Sequence, residues 1–268
     1  MPIYRPTELH QLGVRAKRRL SQNFLIDRNI LQKICTTAEI KQNDTVLEIG
    51  PGPGALTEAL LEKGARVIAV EKDPELAEKL HRFDSKNLEI ICGDALTFPF
   101  DDIPAGTKVV ANLPYHITTP LIGRLIVRSP QIHSLTVMVQ KEVGLRMCAR
   151  ENTAMYSSFT VFLKAYSTPT FGFTVKPRSF FPVPSVHSCV VHLRLHPFAF
   201  PFSEEAFFQL TRTAFGKRRK MITTSLKSLF SQEKIRTALV AISKKPTARP
   251  QELSLAEFGA LFSEINSH

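Results

Sequence analysis

Thr45-Val-Leu-Glu-Ile-Gly-Pro-Gly-Pro-Gly54 is the stretch on which the reading of the fold turns. A short β-prone run ends in three alternating glycines, and Leu56 to Lys63 then reads as a helix closed by Gly64. A strand–turn–helix of this kind needs residues without a Cβ, because the backbone must turn sharply and let a ligand approach. The helix behind it offers unpaired N–H groups at its start. Pro51 and Pro53 stiffen the loop.

The same alternation continues downstream. Arg66 to Val70 reads as a second strand, Pro74 to Arg82 as a helix, Leu88 to Ile91 as a third strand and Lys108 to Asn112 as a fourth. A helix around Thr119 to Ser129 leads to a strand over Ser134 to Gln140, and upstream Asp27 caps a helix reaching Ala38. Strands alternating with helices predict an α/β fold whose parallel sheet is covered on both faces. After Glu151 the pattern shifts. Tyr156 to Tyr166 and Ser188 to Leu195 read as late strands, the pair closing the sheet as an antiparallel hairpin. His196 to Pro201 reads as a linker. Helical spacing follows over Glu204–Phe215, Arg219–Phe230, Gln232–Ile242 and Ser254–Ile265. The expected organisation is a Rossmann-like, doubly wound domain over residues 1–197, with a basic N-terminal segment 1–25, and a small all-helical domain over 198–268.

Two further features give the glycine loop a chemistry. Glu71 ends the second strand about twenty residues after Gly50, where a carboxylate can accept hydrogen bonds from both ribose hydroxyls. Gly93-Asp94-Ala95 follows the third strand and puts a carboxylate where an adenine amine can be read. Gly50-x-Gly52-x-x-Ala55 also satisfies the dinucleotide-binding pattern, and Glu71 suits that rival equally well. A plain strand-to-helix turn, and for Asp94 a helix cap, are the structural uses of the same residues.

The weight shifts at Asn112-Leu-Pro-Tyr115, about sixty residues beyond the loop. It ends the fourth strand, at the sheet edge where open α/β folds bind ligands. Pro114 biases Leu113 toward an extended conformation, which aims the Leu113 carbonyl and the Asn112 side-chain oxygen outward together. Two acceptors hold the two protons of an exocyclic NH₂, and Tyr115 can stack on its ring. A dehydrogenase has no need of this segment. Together the two segments point to methyl transfer from S-adenosylmethionine (SAM) to a nucleobase nitrogen, a displacement in which alignment supplies much of the catalysis.

Composition sets the surroundings. The chain has 268 residues, a net charge of +11 and no apolar run approaching the ~20 residues of a membrane span. Such a balance suggests a polyanionic partner. Cys35, Cys92, Cys148 and Cys189 are scattered, with no metal-ligand spacing, which reads as a reduced, cytoplasmic protein without metal. Cys92 lies in an apolar run and is expected to be buried. Basic clusters occur at Arg15, Lys17, Arg18 and Arg19, at Lys217 to Lys220 opening a helix, and at Lys244, Lys245 and Arg249. Each can bind phosphate, and each can equally be a solvated surface.

With these segments in hand, the chain resembles the KsgA family of ribosomal RNA adenine N6-dimethyltransferases over nearly its full length. The resemblance also rests on Gln22-Asn-Phe-Leu25, Gln140-Lys-Glu-Val143, Phe181-Pro-Val-Pro-Ser-Val186 and Phe215-Gly-Lys-Arg-Arg-Lys220. It implies SAM as cofactor, held by Asn23, Leu25, Gly50, Gly52, Glu71, Asp94 and Asn112. The amine would be held by Asn112, Leu113, Pro114 and Tyr115, with Phe181 of the Phe180-Phe181 pair on the other face of the target adenine. Core packing is the other use for these phenylalanines. The implied substrate is two adjacent adenosines near the 3′ end of small-subunit ribosomal RNA, with the clusters Arg15, Lys17, Arg18, Arg19, Lys217, Arg218, Arg219 and Lys220 on the RNA. A related methyltransferase of large-subunit RNA and a non-catalytic assembly factor are the competing readings. Phe215 to Lys220 argues against the first, and the intact site against the second. Tyr156-Ser157-Ser158 and His187 depart from the family pattern, away from the cofactor residues.

Overall fold

A computed structural model describes residues 5–17 and 22–267. These divide into two compact units. One contains the chain up to Gly144 together with Thr168–Pro197. The other contains Leu145–Ser167 together with the segment from Phe198 onward.

The first unit is built on a seven-stranded sheet. Its strands are β2 (Thr45–Ile49), β3 (Arg66–Glu71), β4 (Leu88–Cys92), β5 (Thr107–Asn112), β6 (Ile132–Gln140), β7 (Ser167–Val175) and β9 (Ser188–Leu195), in the order β4-β3-β2-β5-β6-β9-β7. The pairs β3–β4, β2–β3, β2–β5 and β5–β6 are parallel, and β6–β9 is antiparallel. Chain order reverses between β2 and β5. The glycine loop leaves β2, and the Asn-Leu-Pro-Tyr segment leaves β5, so both open into the crevice at that switch point. The central strands are buried on both faces: Val46, Leu47, Val109, Val110, Leu135 and Val137 are all fully covered.

The helices between strands begin where the sequence caps them. Asp27 accepts hydrogen bonds from the Asn29 and Ile30 N–H groups and starts α2 (Arg28–Thr37), after a short α1 (Pro6–Gln11). Gly54 stands at φ 90° before α3 (Ala55–Glu62), a conformation that an L side chain resists. A Cβ there would come within 2.5 Å of the Phe83 ring. Asp73 caps α4 (Pro74–Leu80), and α5 (Thr118–Ile126) follows the β5 segment. A separate two-stranded piece pairs β1 (Phe24–Leu25) with β8 (Phe180–Phe181), antiparallel, with Phe24 opposite Phe181.

Several expectations are corrected. Cys92 is exposed, because β4 is an edge strand and its apolar run is covered incompletely. Tyr156 to Tyr166 is a helix, α7 (Ser158–Tyr166), following α6 (Lys141–Met147). Phe-Thr-Val-Phe suggested a strand, but the Ser157 hydroxyl accepts from the Thr160 N–H while Thr160 reaches back to the Ser157 N–H, a capping box that starts a helix. The strand beside β9 is β7, downstream of that helix. Leu145–Ser167, expected within the sheet domain, groups with the second unit.

That unit also holds α8 (Glu204–Gly216), α9 (Ile222–Ser225), α10 (Gln232–Ala241) and α11 (Leu255–Asn266). The phenylalanines of the expected linker, with Phe202 after it, are half-buried and pack on the rings of this unit. Phe198 meets Phe208 with ring centroids 5.6 Å apart, Phe200 stacks on Phe202 at 5.0 Å, and Phe202 meets Phe262 at 4.5 Å. The helix expected over Arg219–Phe230 is only the short α9 with a 3₁₀ turn. Lys217 to Lys220 form the turn before it rather than opening a helix.

Candidate active site

One cavity in the first unit gathers the segments that the sequence singled out. It is open to solvent, and its empty space is about 1110 Å³ with the solvent at the mouth included. Its walls include Asn23 and Leu25, the loop from Glu48 to Pro53, Glu71, Asp94, and Asn112 to Ile117. The expected cofactor residues and the amine segment therefore share one space. Phe181 is not in the cavity wall. It lies half-buried beside Phe24, which is, and meets the His10 ring edge-on at 6.0 Å. Phe180 takes the core role, at 1% exposure, and leaves Phe181 as the accessible member of the pair.

Glu71 closes β3 as a buried carboxylate. Its oxygens accept from the Gly52 N–H and the Asp73 N–H, both at 2.9 Å. Burial pushes its carboxyl above the ordinary value, opposed by those two N–H groups. Each oxygen retains a second lone pair for a hydroxyl donor. Asp94 accepts from the Leu96 N–H at 2.9 Å and pairs with Lys72 at 2.7 Å, and that hydrogen bond from Lys72 holds it below the usual carboxylate range. Gly52 stands at φ +59°, and a Cβ there would sit 3.1 Å from the Phe24 ring, so the loop and the 22–25 segment form a close cradle in which a side chain would be strained and would press on Phe24.

The amine segment is fixed from several sides. Asn112 Nδ2 donates to the Asn23 carbonyl at 3.1 Å, which commits the amide nitrogen and leaves Oδ1 as the acceptor of the group. The buried Leu113 donates its N–H to the Met138 carbonyl at 3.1 Å. Tyr115 shares a 2.9 Å hydrogen bond with Ser188, which anchors the far end of its ring.

Glu48 was quoted in the sequence motif without a role. It is 1% exposed, and Oε2 accepts from the Thr57 hydroxyl at 2.7 Å, while Oε1 is buried without a hydrogen-bond partner. Burial pushes its carboxyl up to about 8, against the Thr57 hydrogen bond and assisted by Glu71. Gln22, Lys72, His116 and Ile117 also line the cavity. Only proximity to the recognised motifs signalled them in sequence.

The chain matches the family described as "Ribosomal RNA adenine dimethylase" over residues 13–266. It belongs to that family. Among curated relatives, ribosomal RNA small subunit methyltransferase A of Protochlamydia amoebophila is 50% identical, over 100% of this chain and 99% of its own length. The protein of the same name from Chlamydia trachomatis is 45% identical over 95% and 94%. Among solved structures, a dimethyladenosine transferase from Plasmodium falciparum has a TM-score of 0.77 at 28% identity, covering 91% of this chain and 98% of that one. The 23S rRNA methyltransferase ErmE has a TM-score of 0.74 at 27% identity, covering 91% and 100%.

A member of the adenine dimethylase family uses SAM as cofactor, and the cavity fits it. The cradle at Gly52, the carboxylates of Glu71 and Asp94 and the space beside Asn112 are the donor and acceptor set that a nucleoside with an activated methyl group requires. Among the described residues no cluster of His, Cys, Asp or Glu is arranged to hold a metal ion. No described helix is long and apolar enough to cross a membrane.

Proposed function

We propose that this dimethylase adds two methyl groups to the N6 amine of each of two adjacent adenosines near the 3′ end of small-subunit ribosomal RNA, acting in the cytoplasm during subunit biogenesis. The reading rests above all on the glycine loop and Asn112 to Tyr115 facing one cavity. SAM supplies a methyl group on a sulfonium, already a good leaving group. Glu71 holds the ribose, Asp94 the adenine amine, and Asn23, Leu25, Gly50 and Gly52 enclose the cofactor. Asn112 Oδ1 and the Leu113 carbonyl would accept hydrogen bonds from the target amine and turn its lone pair toward the methyl carbon; as the N–C bond forms the C–S bond breaks, leaving the thioether, and the nitrogen's surplus proton passes to water. Pro114, at φ −57° and ψ 130°, disfavours a helical conformation for Leu113 before the turn at Tyr115. Tyr115 and Phe181 take the two faces of the extruded adenine.

The basic clusters support an RNA partner unequally. Arg15, Lys217, Arg219, Lys220, Lys245 and Arg249 are exposed. Arg218 is partly covered and donates to the Thr153 carbonyl, while Lys244 is paired with Glu257 at 2.8 Å. Lys17 is paired with Asp73. Arg18 and Arg19 lie outside the described residues. The second unit, with its exposed turn at 217–220, is the RNA-binding domain in this reading.

The test is to incubate the protein with labelled SAM and a mixture of unmethylated small and large subunits, then map the label. Dimethyladenosine at two neighbouring positions near the 3′ end is the expected result. Label confined to large-subunit RNA would reject the proposal and favour the activity carried in the name of the ErmE structure.

A further inference from the structure

Lys17 was counted with the RNA-facing cations, but its contacts lie elsewhere. Its Nζ is 2.8 Å from Asp73 Oδ1 and 3.1 Å from Glu75 Oε1. Its backbone N–H donates to Gln22 Oε1 at 2.7 Å, and Gln22 Nε2 donates to the other Asp73 oxygen at 3.3 Å. Residues 17 and 22, on either side of 18–21, are therefore tied to a single carboxylate that is 2% exposed. Asp73 in turn donates its N–H to Glu71 Oε1 and caps α4 through the Glu75 N–H. Gln22 begins the stretch Gln22–Leu25 that walls the cavity, and the Asn23 carbonyl holds Asn112. Burial alone would raise the Asp73 carboxyl, and the hydrogen bonds from Lys17 and Gln22 outweigh it, holding it below the ordinary range.

We propose that Lys17 and Asp73 are positioning residues of the cofactor site: their ion pair latches the 22–25 wall onto the turn that follows Glu71 at the end of β3. The inference deepens the SAM reading and assigns Lys17 to the cofactor rather than to RNA phosphate. Its physical basis is that the Lys17 ammonium is already shared by two carboxylates, so it releases few counterions on meeting a polyanion. Removing it leaves the nearly buried Asp73 charge with only Gln22 and its own helix N–H groups, which is costly enough to loosen the wall.

The test compares Lys17→Met, Lys17→Arg and Asp73→Asn with the wild-type full-length protein, each first checked to unfold cooperatively and to be fully folded at the assay temperature. SAM affinity is measured by calorimetry, its dissociation by stopped flow, and binding to unmethylated small subunits at several salt concentrations. The expected result is that Lys17→Met and Asp73→Asn bind SAM several-fold more weakly. SAM should dissociate faster, and KM for SAM should rise with kcat largely kept. Lys17→Arg should restore SAM binding, and combining Lys17→Met with Asp73→Asn should add little to either alone. RNA affinity and its salt dependence should stay at wild-type values in Lys17→Met. Wild-type SAM binding in Lys17→Met, or a weakened and less salt-dependent RNA affinity there, would overturn the proposal. So would failure of Lys17→Arg to rescue. A wild-type protein that does not bind SAM would instead reject the cofactor reading itself.

Discussion

Glu48 titrates over an unusual range, and replacing it with glutamine isolates the consequence. In the unfolded chain the carboxyl ionises near its ordinary value of 4.5, whereas burial raises it to about 8 in the folded protein. Below the first value both states carry the proton. Between the two, the unfolded chain has given it up and the folded protein has not, so stability falls as pH rises. Above the second value both are ionised and the loss is complete. The slope is about 1.4 kcal/mol per pH unit, and across the whole window it amounts to roughly 5 kcal/mol. Glu48→Gln keeps an acceptor for the Thr57 hydroxyl, has no proton to lose, and places an unpartnered amide where Oε1 now sits. That amide adds a constant offset, so the informative quantity is the slope. Urea unfolding of both proteins, followed by circular dichroism from pH 5 to 9, is the assay. Wild type should lose stability relative to Glu48→Gln up to pH 8 and run parallel above it. Parallel profiles throughout would refute the protonated carboxyl.

Other substitutions test other parts of the site and the fold. Asn112→Ala removes the acceptor aimed at the reacting amine, so kcat should fall about 100-fold or more while small-subunit binding in a filter assay is largely retained; equal loss of both would count against the role. Glu71→Ala removes the ribose acceptor and strands the Gly52 and Asp73 N–H groups, and calorimetry should record SAM affinity about 10- to 100-fold weaker. Unchanged affinity would place the ribose elsewhere. Gly259→Ala would put a Cβ 2.3 Å from the Phe200 ring and should destabilise the second unit by about 1–3 kcal/mol in chemical unfolding, with SAM binding intact.

The parts of the site that were legible in sequence are those where backbone geometry demands a residue type. Gly52 and Gly54 stand at positive φ, and Pro114 fixes an extended segment, so each leaves a mark that needs no tertiary knowledge. Glu71 and Asp94 were legible because a strand end is a fixed distance from a glycine loop in a parallel sheet. Glu48 was visible as a letter but not as a group, since only burial makes its carboxyl unusual. Lys17 misled because charge in a run of cations reads as surface, while its acidic partner lies 56 residues away in the chain. The β-branched and aromatic side chains of Tyr156 to Tyr166 favour a strand, and the signal that decides for a helix is confined to two residues, Ser157 and Thr160. Cys92 shows the same limit: its apolar neighbours say strand, and only strand order says edge.

The pairing of Phe24 with Phe181, reinforced by the Ser179 hydroxyl bonding Asp27 across 152 residues, has a consequence for how the protein is made. A growing chain that has reached the end of β6 already contains the glycine loop, Glu71, Asp94, Asn112 and the Lys17–Asp73 pair, yet the strand that pairs with Phe24–Leu25 has not been synthesised. The backbone pairing of Phe24 and Leu25 with Phe181 and Phe180 thus closes only after β8 emerges, so this part of the fold is completed late in translation.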